Sequence, residues 1–147
     1  MVKKRVGKGA QEFVLDCSVT MAWYFKDESS SYSRAVRKAL SDLRAVVPGL
    51  WPLEVANILG LAERRKRSGE AETSKWLSLL HLLPIRVDDE TPARAWSDIL
   101  HVARSHHLTA YDAAYLELAL RLGLPLASLD EKLKTAAREA GVAEFQP

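Results

Sequence analysis

Cysteine is nearly absent from this sequence: Cys17 stands alone among 147 residues. An internal disulfide and any multi-cysteine zinc site are thereby excluded, and the usage suits a reducing cytoplasm. Charge of one sign is lacking too. Lys and Arg number 21 against 19 Asp and Glu, a net of +2. No broad basic field advertises a polyanion, so binding one would need a local patch or a metal. No apolar run reaches the eighteen or so residues of a membrane span. The opening "MVKKRVGKGAQE" is basic, but it lacks the long apolar stretch and small-residue cleavage site of a secretion signal. Internal repeats and low-complexity linkers are missing as well. The expectation is a cytoplasmic protein with no membrane segment, a flexible basic leader over residues 1–11 and a single domain over 12–147.

What is present is an alternation. Apolar residues at i, i+3, i+4 and i+7 mark amphipathic helices. They recur at Val36, Ala39, Leu40, Leu43; at Val55, Ile58, Leu59, Ala62; and at Trp76, Leu79, Leu80, Leu83. The pattern returns at Trp96, Ile99, Leu100, Ala103 and at Leu133, Ala136, Ala137, Ala140, with a sparser version through Ala113, Leu116 and Leu120. Between these stripes lie "FVLD", "AVV", "PIRV", "PLAS" and a fifth candidate, "VAEF". These short runs lack period-2 alternation and read as strands buried on both faces. Short strands alternating with helices predict an α/β sandwich around a mostly parallel sheet. In such folds ligands collect beyond the carboxyl ends of the strands.

Acids stand at those ends. Asp16 directly follows "FVL" and Asp130 directly follows "LPLASL". Glu54 falls a few residues beyond "AVVPG", in the first turn of an otherwise apolar helix, and Asp112 opens the helix after "SHHLTAY". Four carboxylates on one rim would repel one another and resist ionising. A hard divalent cation with oxygen ligands, Mg²⁺ or Mn²⁺, removes that conflict. Each acid also has an ordinary structural reading. Asp112 lies three residues after Thr109, a near-match to a capping box. Asp130 and Asp16 suit helix N-caps, and Glu54 suits a first turn opened by Pro52.

The blocks "FVLDCSVTMAWYF", "LWPLEVANIL" and "LTAYDAAYLELALRLGLPLASLDEKL" resemble those of PIN-domain ribonucleases, and more narrowly the VapC toxins of prokaryotic toxin–antitoxin pairs. The resemblance covers nearly the whole chain from Phe13 onward, in the same order and spacing. It implies a three-layer α/β/α fold with four or five parallel strands in order 3-2-1-4-5. It implies that Asp16, Glu54, Asp112 and Asp130 form a metal site for one or two Mg²⁺ or Mn²⁺ ions. Ser18, Asn57, Thr109 and Ser128 match polar positions that support such a site. Cys17 stands where a small polar residue is common, and His106–His107 where the family has a glycine-containing turn; neither is assigned a ligand role. Asp88 and Asp89 also follow a strand, but an edge one, and read as helix-start acids.

The function so implied is metal-dependent hydrolysis of RNA, leaving 5′-phosphate and 3′-hydroxyl ends. The run Arg64, Arg65, Lys66, Arg67 is the candidate for RNA contact, although cations at a helix C-terminus also complement the dipole and Gly69 suits a C-cap. The four tryptophans, Trp23, Trp51, Trp76 and Trp96, read as core or interface residues before base-stacking ones. A homodimer and a VapB-like antitoxin whose tail covers the acidic groove are the implied protein partners. Two rivals fail on residues: a haloacid-dehalogenase-type phosphatase needs an acid where Ser18 stands, and a response-regulator receiver needs an acid pair and a late lysine that the map does not supply. A housekeeping RNA-processing nuclease and a non-cleaving RNA- or protein-binding module are the remaining alternatives.

Overall fold

Strand β1, Glu12–Leu15, is the centre of the molecule: Phe13, Val14 and Leu15 are each 0% exposed. Successive strand residues point to opposite faces, so complete burial of three in a row requires cover on both sides of the sheet. The computed structural model describes residues 11–147. The expected leader over 1–11 lies outside the described residues except for Gln11, whose carbonyl accepts from the Arg44 N–H and so belongs to the sheet.

Strand β2, Arg44–Val47, pairs parallel to β1 with Phe13 opposite Ala45. On its far side lies β3, Ile85–Val87, again parallel. The two-residue β4, Leu126–Ala127, pairs parallel to the other edge of β1, giving the order β3-β2-β1-β4. The expected fifth strand at "VAEF" is reduced to one parallel bridge between Leu126 and Glu144. It is fastened by the Phe145 N–H on the Leu126 carbonyl and by Phe145 stacking on Phe13, ring centroids 3.9 Å apart. The α/β/α arrangement and the predicted strand order therefore hold, with the last strand abbreviated.

Eight helices flank this sheet among the described residues: α1 Cys17–Tyr24, α2 Ser31–Ala39, α3 Trp51–Arg64, α4 Glu70–His81, α5 Thr91–Arg94, α6 Leu100–His106, α7 Ala110–Leu122 and α8 Glu131–Glu139. The apolar stripes bury as expected at Val36, Val55, Leu59, Ala62, Leu80, Leu133, Ala136 and Ala137. The stripe proposed from Trp96 does not hold throughout. A π-helical turn, Ala95–Ile99, separates α5 from α6. The wider turn shifts the phase of the helix, so Ile99 is buried whereas Trp96 is 93% exposed. The other three tryptophans pack. Trp51 is buried with its indole N–H on the Thr20 hydroxyl, Trp23 donates to the Ser33 carbonyl, and Trp76 lies against Tyr24. Among the described residues no helix is long and apolar enough to cross a membrane.

Candidate active site

β1 ends at Leu15 and delivers Asp16 to the rim, where its side chain is 5% exposed. The capping alternative fails here, because the carboxylate makes no cap bond to α1. Its Oδ2 instead accepts from the Ser18 hydroxyl at 2.6 Å and the Ser128 hydroxyl at 2.8 Å. Each hydroxyl also accepts from the turn after β4, Ser18 from the Leu129 N–H and Ser128 from the Asp130 N–H, both at 3.0 Å. Two serines thus lash the end of β1 to the end of β4. Burial raises the Asp16 pKa, the two hydroxyls oppose the rise, and the charge of Asp130 adds to it.

Asp130 is the N-cap of α8, its Oδ1 accepting from the Leu133 N–H at 3.0 Å. The structural reading is thus realised at one oxygen, and Oδ2 is left over. Asp112 sits in the first turn of α7, where the Thr109 hydroxyl accepts from its N–H at 3.1 Å. That is half a capping box: Thr109 sets the helix start, and the Asp112 carboxylate does not reach back. Burial raises the Asp112 pKa, as do the charges of Asp130 and Asp16, with Lys132 opposing. Glu54 stands in the first turn of α3, which opens at Trp51 so that Pro52 is its second residue. Its Oε1 accepts from the Tyr115 hydroxyl at 2.5 Å. Burial raises its pKa, the tyrosine bond opposes the rise, and Asp16 and Asp112 add to it.

The four acids therefore feel one another's charge around the rim. Among the described residues no Lys or Arg forms an ion pair with any of them. Glu54 Oε2, Asp130 Oδ2 and both oxygens of Asp112 accept no hydrogen bond among those residues. An oxygen-only donor set of this kind, with no ion-paired cation among the described residues, fits a hard divalent cation such as Mg²⁺ or Mn²⁺. Among the described residues no three of the four bring carboxylate oxygens within 4.8 Å of one another. Ions that retain several waters can be held by such a set partly through water.

Other predicted residues distribute unevenly. Asn57 is exposed one turn beyond Glu54 and makes no hydrogen bond to the four acids among the described residues. His107 caps α6 in the left-handed region at φ 56°, taking the conformation expected of a glycine-containing turn. Cys17 is buried beside the site, where burial and the charges of Glu54 and Asp16 raise its thiol pKa and keep it protonated. Of the basic run, Arg64, Arg65 and Lys66 are exposed at the far end of α3. Arg67 instead pairs with Asp27 at 3.2 Å and lies over the Phe25 ring at 4.1 Å, a structural staple. Gly69 is not the C-cap of α3. Lys66 takes the left-handed conformation there, φ 61°, and Gly69 is the N-cap of α4.

Sequence reasoning missed two features. One is Tyr115, which is fully buried and lies outside the sparse stripe read through Ala113, Leu116 and Leu120. The second is an ionic network around Asp88, which is buried at the end of β3. Asp88, Asp89 and Glu90 bring carboxylate oxygens within 4.8 Å of one another, closer than the strand-end acids come in any group of three among the described residues. Two arginines pair with acids of this region. Arg121 pairs with Asp88 at 2.9 Å and with Glu117 at 3.0 Å, and Arg94 pairs with Glu90 at 2.9 Å and Asp98 at 2.6 Å. Burial alone would raise the Asp88 pKa, but Arg121, the Glu90 N–H and Arg86 together outweigh it and hold the carboxyl below its ordinary value. Asp88 also accepts from the Glu90 N–H, but Glu90 is the N-cap of α5 and no acid stands in its first turn, so Asp88 and Asp89 precede the helix and are not its first-turn acids.

Comparison with known proteins agrees with this arrangement. The family model described as PIN domain matches residues 13–139. Ribonuclease VapC3 of Pyrobaculum aerophilum is 31% identical over 122 residues, covering 83% of this chain and 92% of that protein. The crystal structure of PAE2754 from Pyrobaculum aerophilum superposes with a TM-score of 0.71 at 24% identity, covering 94% of this chain and 92% of the other. FitAcB from Neisseria gonorrhoeae superposes with a TM-score of 0.52 at 21% identity, covering 92% and 97% respectively.

Proposed function

This chain belongs to the PIN-domain family, and we propose that it is a divalent-metal-dependent endoribonuclease, the toxin of a VapBC-type pair. The observation that carries this reading is a rim of four carboxylates in which Asp16, Glu54 and Asp112 are each raised by neighbouring acids, with no paired cation among the described residues. A pure binding module has no use for such a cluster, which costs stability unless an ion compensates it. The related ribonuclease VapC3 supports the activity class.

In this reading Asp16, Glu54, Asp112 and Asp130 hold one or two Mg²⁺ or Mn²⁺ ions directly or through water. A bound divalent ion supplies a Lewis acid for a phosphate oxygen and lowers the pKa of a water. Ser18 and Ser128 fix Asp16 by engaging one oxygen, and Thr109 fixes the turn that presents Asp112. One of the four acids, each held beside like charges, takes the proton of the attacking water. Arg64, Arg65 and Lys66 lie about 15 Å along α3 from Glu54 at the ordinary helical rise, placed to contact RNA phosphates away from the cut. Residues 12–147 act as one domain in the cytoplasm, as a homodimer. A VapB-like antitoxin silences the site by bringing a cation into the groove, where it pairs with the same carboxylates.

The test is cleavage of a panel of structured RNAs by the purified protein, with Mg²⁺ or Mn²⁺, with chelator, and as Asp16→Asn. Metal-dependent cutting that the variant loses is the expected result. Silence of the folded wild-type protein on every RNA, with either metal, would overturn the nuclease reading in favour of a binding module.

A further inference from the structure

Tyr115 is 0% exposed, yet it carries a hydroxyl. Phenylalanine would fill the same space, so packing does not explain the oxygen. Its partner is 61 residues away: the O–H donates to Oε1 of Glu54 at 2.5 Å, joining α7 to α3. Glu54 sits between the repelling charges of Asp16 and Asp112 and is only partly buried. An untethered carboxylate in that position has an easy escape, a rotation toward solvent away from both neighbours. Tyr115 closes that escape by holding one oxygen and leaving Oε2 to the site. The same helix presents Asp112 one turn earlier, and residues three apart share a face of a helix. One rigid element therefore carries one acid and aims a second.

We infer that Tyr115 is a positioning residue that sets the Glu54 carboxylate, relative to Asp112, to receive a divalent cation. The inference rests on the metal reading proposed above. Hydrogen-bond partners of metal ligands orient them, and their loss commonly weakens metal binding 10–100-fold.

The experiment is calorimetric titration of Mn²⁺ into the wild type, Tyr115→Phe, Glu54→Ala and the double variant, with thermal melts of each in chelator. Tyr115→Phe is expected to weaken Mn²⁺ binding roughly 10-fold, while in the Glu54→Ala background the same change has no further effect. Wild-type affinity in Tyr115→Phe, or an equal loss in both backgrounds, overturns the positioning role while the metal reading stands. A wild-type protein that binds no Mn²⁺ overturns both. The wild type also gives a reading that needs no variant. Occupation of Glu54 draws electron density from its carboxylate and weakens the tyrosine bond, so the near-ultraviolet tyrosine band shifts to shorter wavelength as Mn²⁺ is added. A band unmoved at saturation overturns the inference even if Tyr115→Phe fails to fold.

Discussion

Helix α7 joins two acidic regions that differ in whether arginine pairs with their carboxylates. At its start, Asp112 and the partner of Tyr115, Glu54, belong to a rim with Asp16 and Asp130, where no arginine of the described residues forms an ion pair and the carboxyl pKa values of Asp16, Glu54 and Asp112 are raised. Toward its end, Glu117 and Arg121 belong to a network with Asp88, Glu90, Arg94 and Asp98, and there Asp88 is held low. The second region is the more compact, with three acids whose oxygens lie within 4.8 Å. Compactness is therefore a poor guide to a cation site. The tight cluster has guanidinium groups on Asp88 and Glu90. The looser rim has no ion-paired cation among the described residues, and in the proposed reading a hard metal ion fills that place.

That comparison can be broken most decisively by exchanging single charges. Asp16→Asn should reduce RNA cleavage by more than the 10–100-fold typical of losing an outer-sphere partner, with the fold intact by circular dichroism. Asp88→Asn should leave cleavage within about threefold but destabilise the protein by about 3 kcal/mol, because Arg121 loses a buried charged partner; urea unfolding in chelator reads this. Saturating Mn²⁺, at 100 times its dissociation constant, should stabilise the wild type by about 2.7 kcal/mol. Asp88→Asn should keep that increment and Asp16→Asn should lose it.

The two regions also respond to pH with opposite sign. Raised acids favour the protonated folded state, so their contribution is fully present below their unfolded values and is lost as pH rises through the raised folded ones. Chelated protein should therefore gain stability as pH falls through the raised folded values toward the unfolded ones, and Asp16→Asn should flatten that limb. Asp88 behaves conversely: its contribution is present above its ordinary value of 3.8 and is lost as pH falls through its lowered folded pKa. Arg121→Met should remove that acid limb. The smallest effect is expected at the end of α3. Replacing Arg64, Arg65 and Lys66 with Ala should lower the salt slope of RNA binding by about 2, measured by filter binding, and Arg67→Ala should leave the slope unchanged.

Much of the fold was legible because its signals are local. Phe13–Leu15 and Ala45–Val47 read as doubly buried strands from continuous apolar runs, and they are. The acids were legible for a related reason, since strand ends and first turns are positions along the chain. What escaped depends on pairs distant in sequence. Nothing near Tyr115 announces Glu54, and nothing near Arg121 announces Asp88, 33 residues before it. Trp96 was misplaced because a stripe assumes uninterrupted α-helical phase, which the turn at Ala95–Ile99 breaks. Gly69 was misassigned because glycine serves either end of a helix, and only backbone geometry shows that Lys66 already fills the left-handed position.

The most direct test of the central claim is Mn²⁺ binding, followed by electron paramagnetic resonance of the free ion, for the wild type, Asp16→Asn and Asp88→Asn side by side. The account predicts near-equal affinity for wild type and Asp88→Asn, and a loss of roughly 100-fold or more in Asp16→Asn. Retention of the ion by Asp16→Asn together with its loss from Asp88→Asn would place the metal in the arginine-paired cluster and contradict the account.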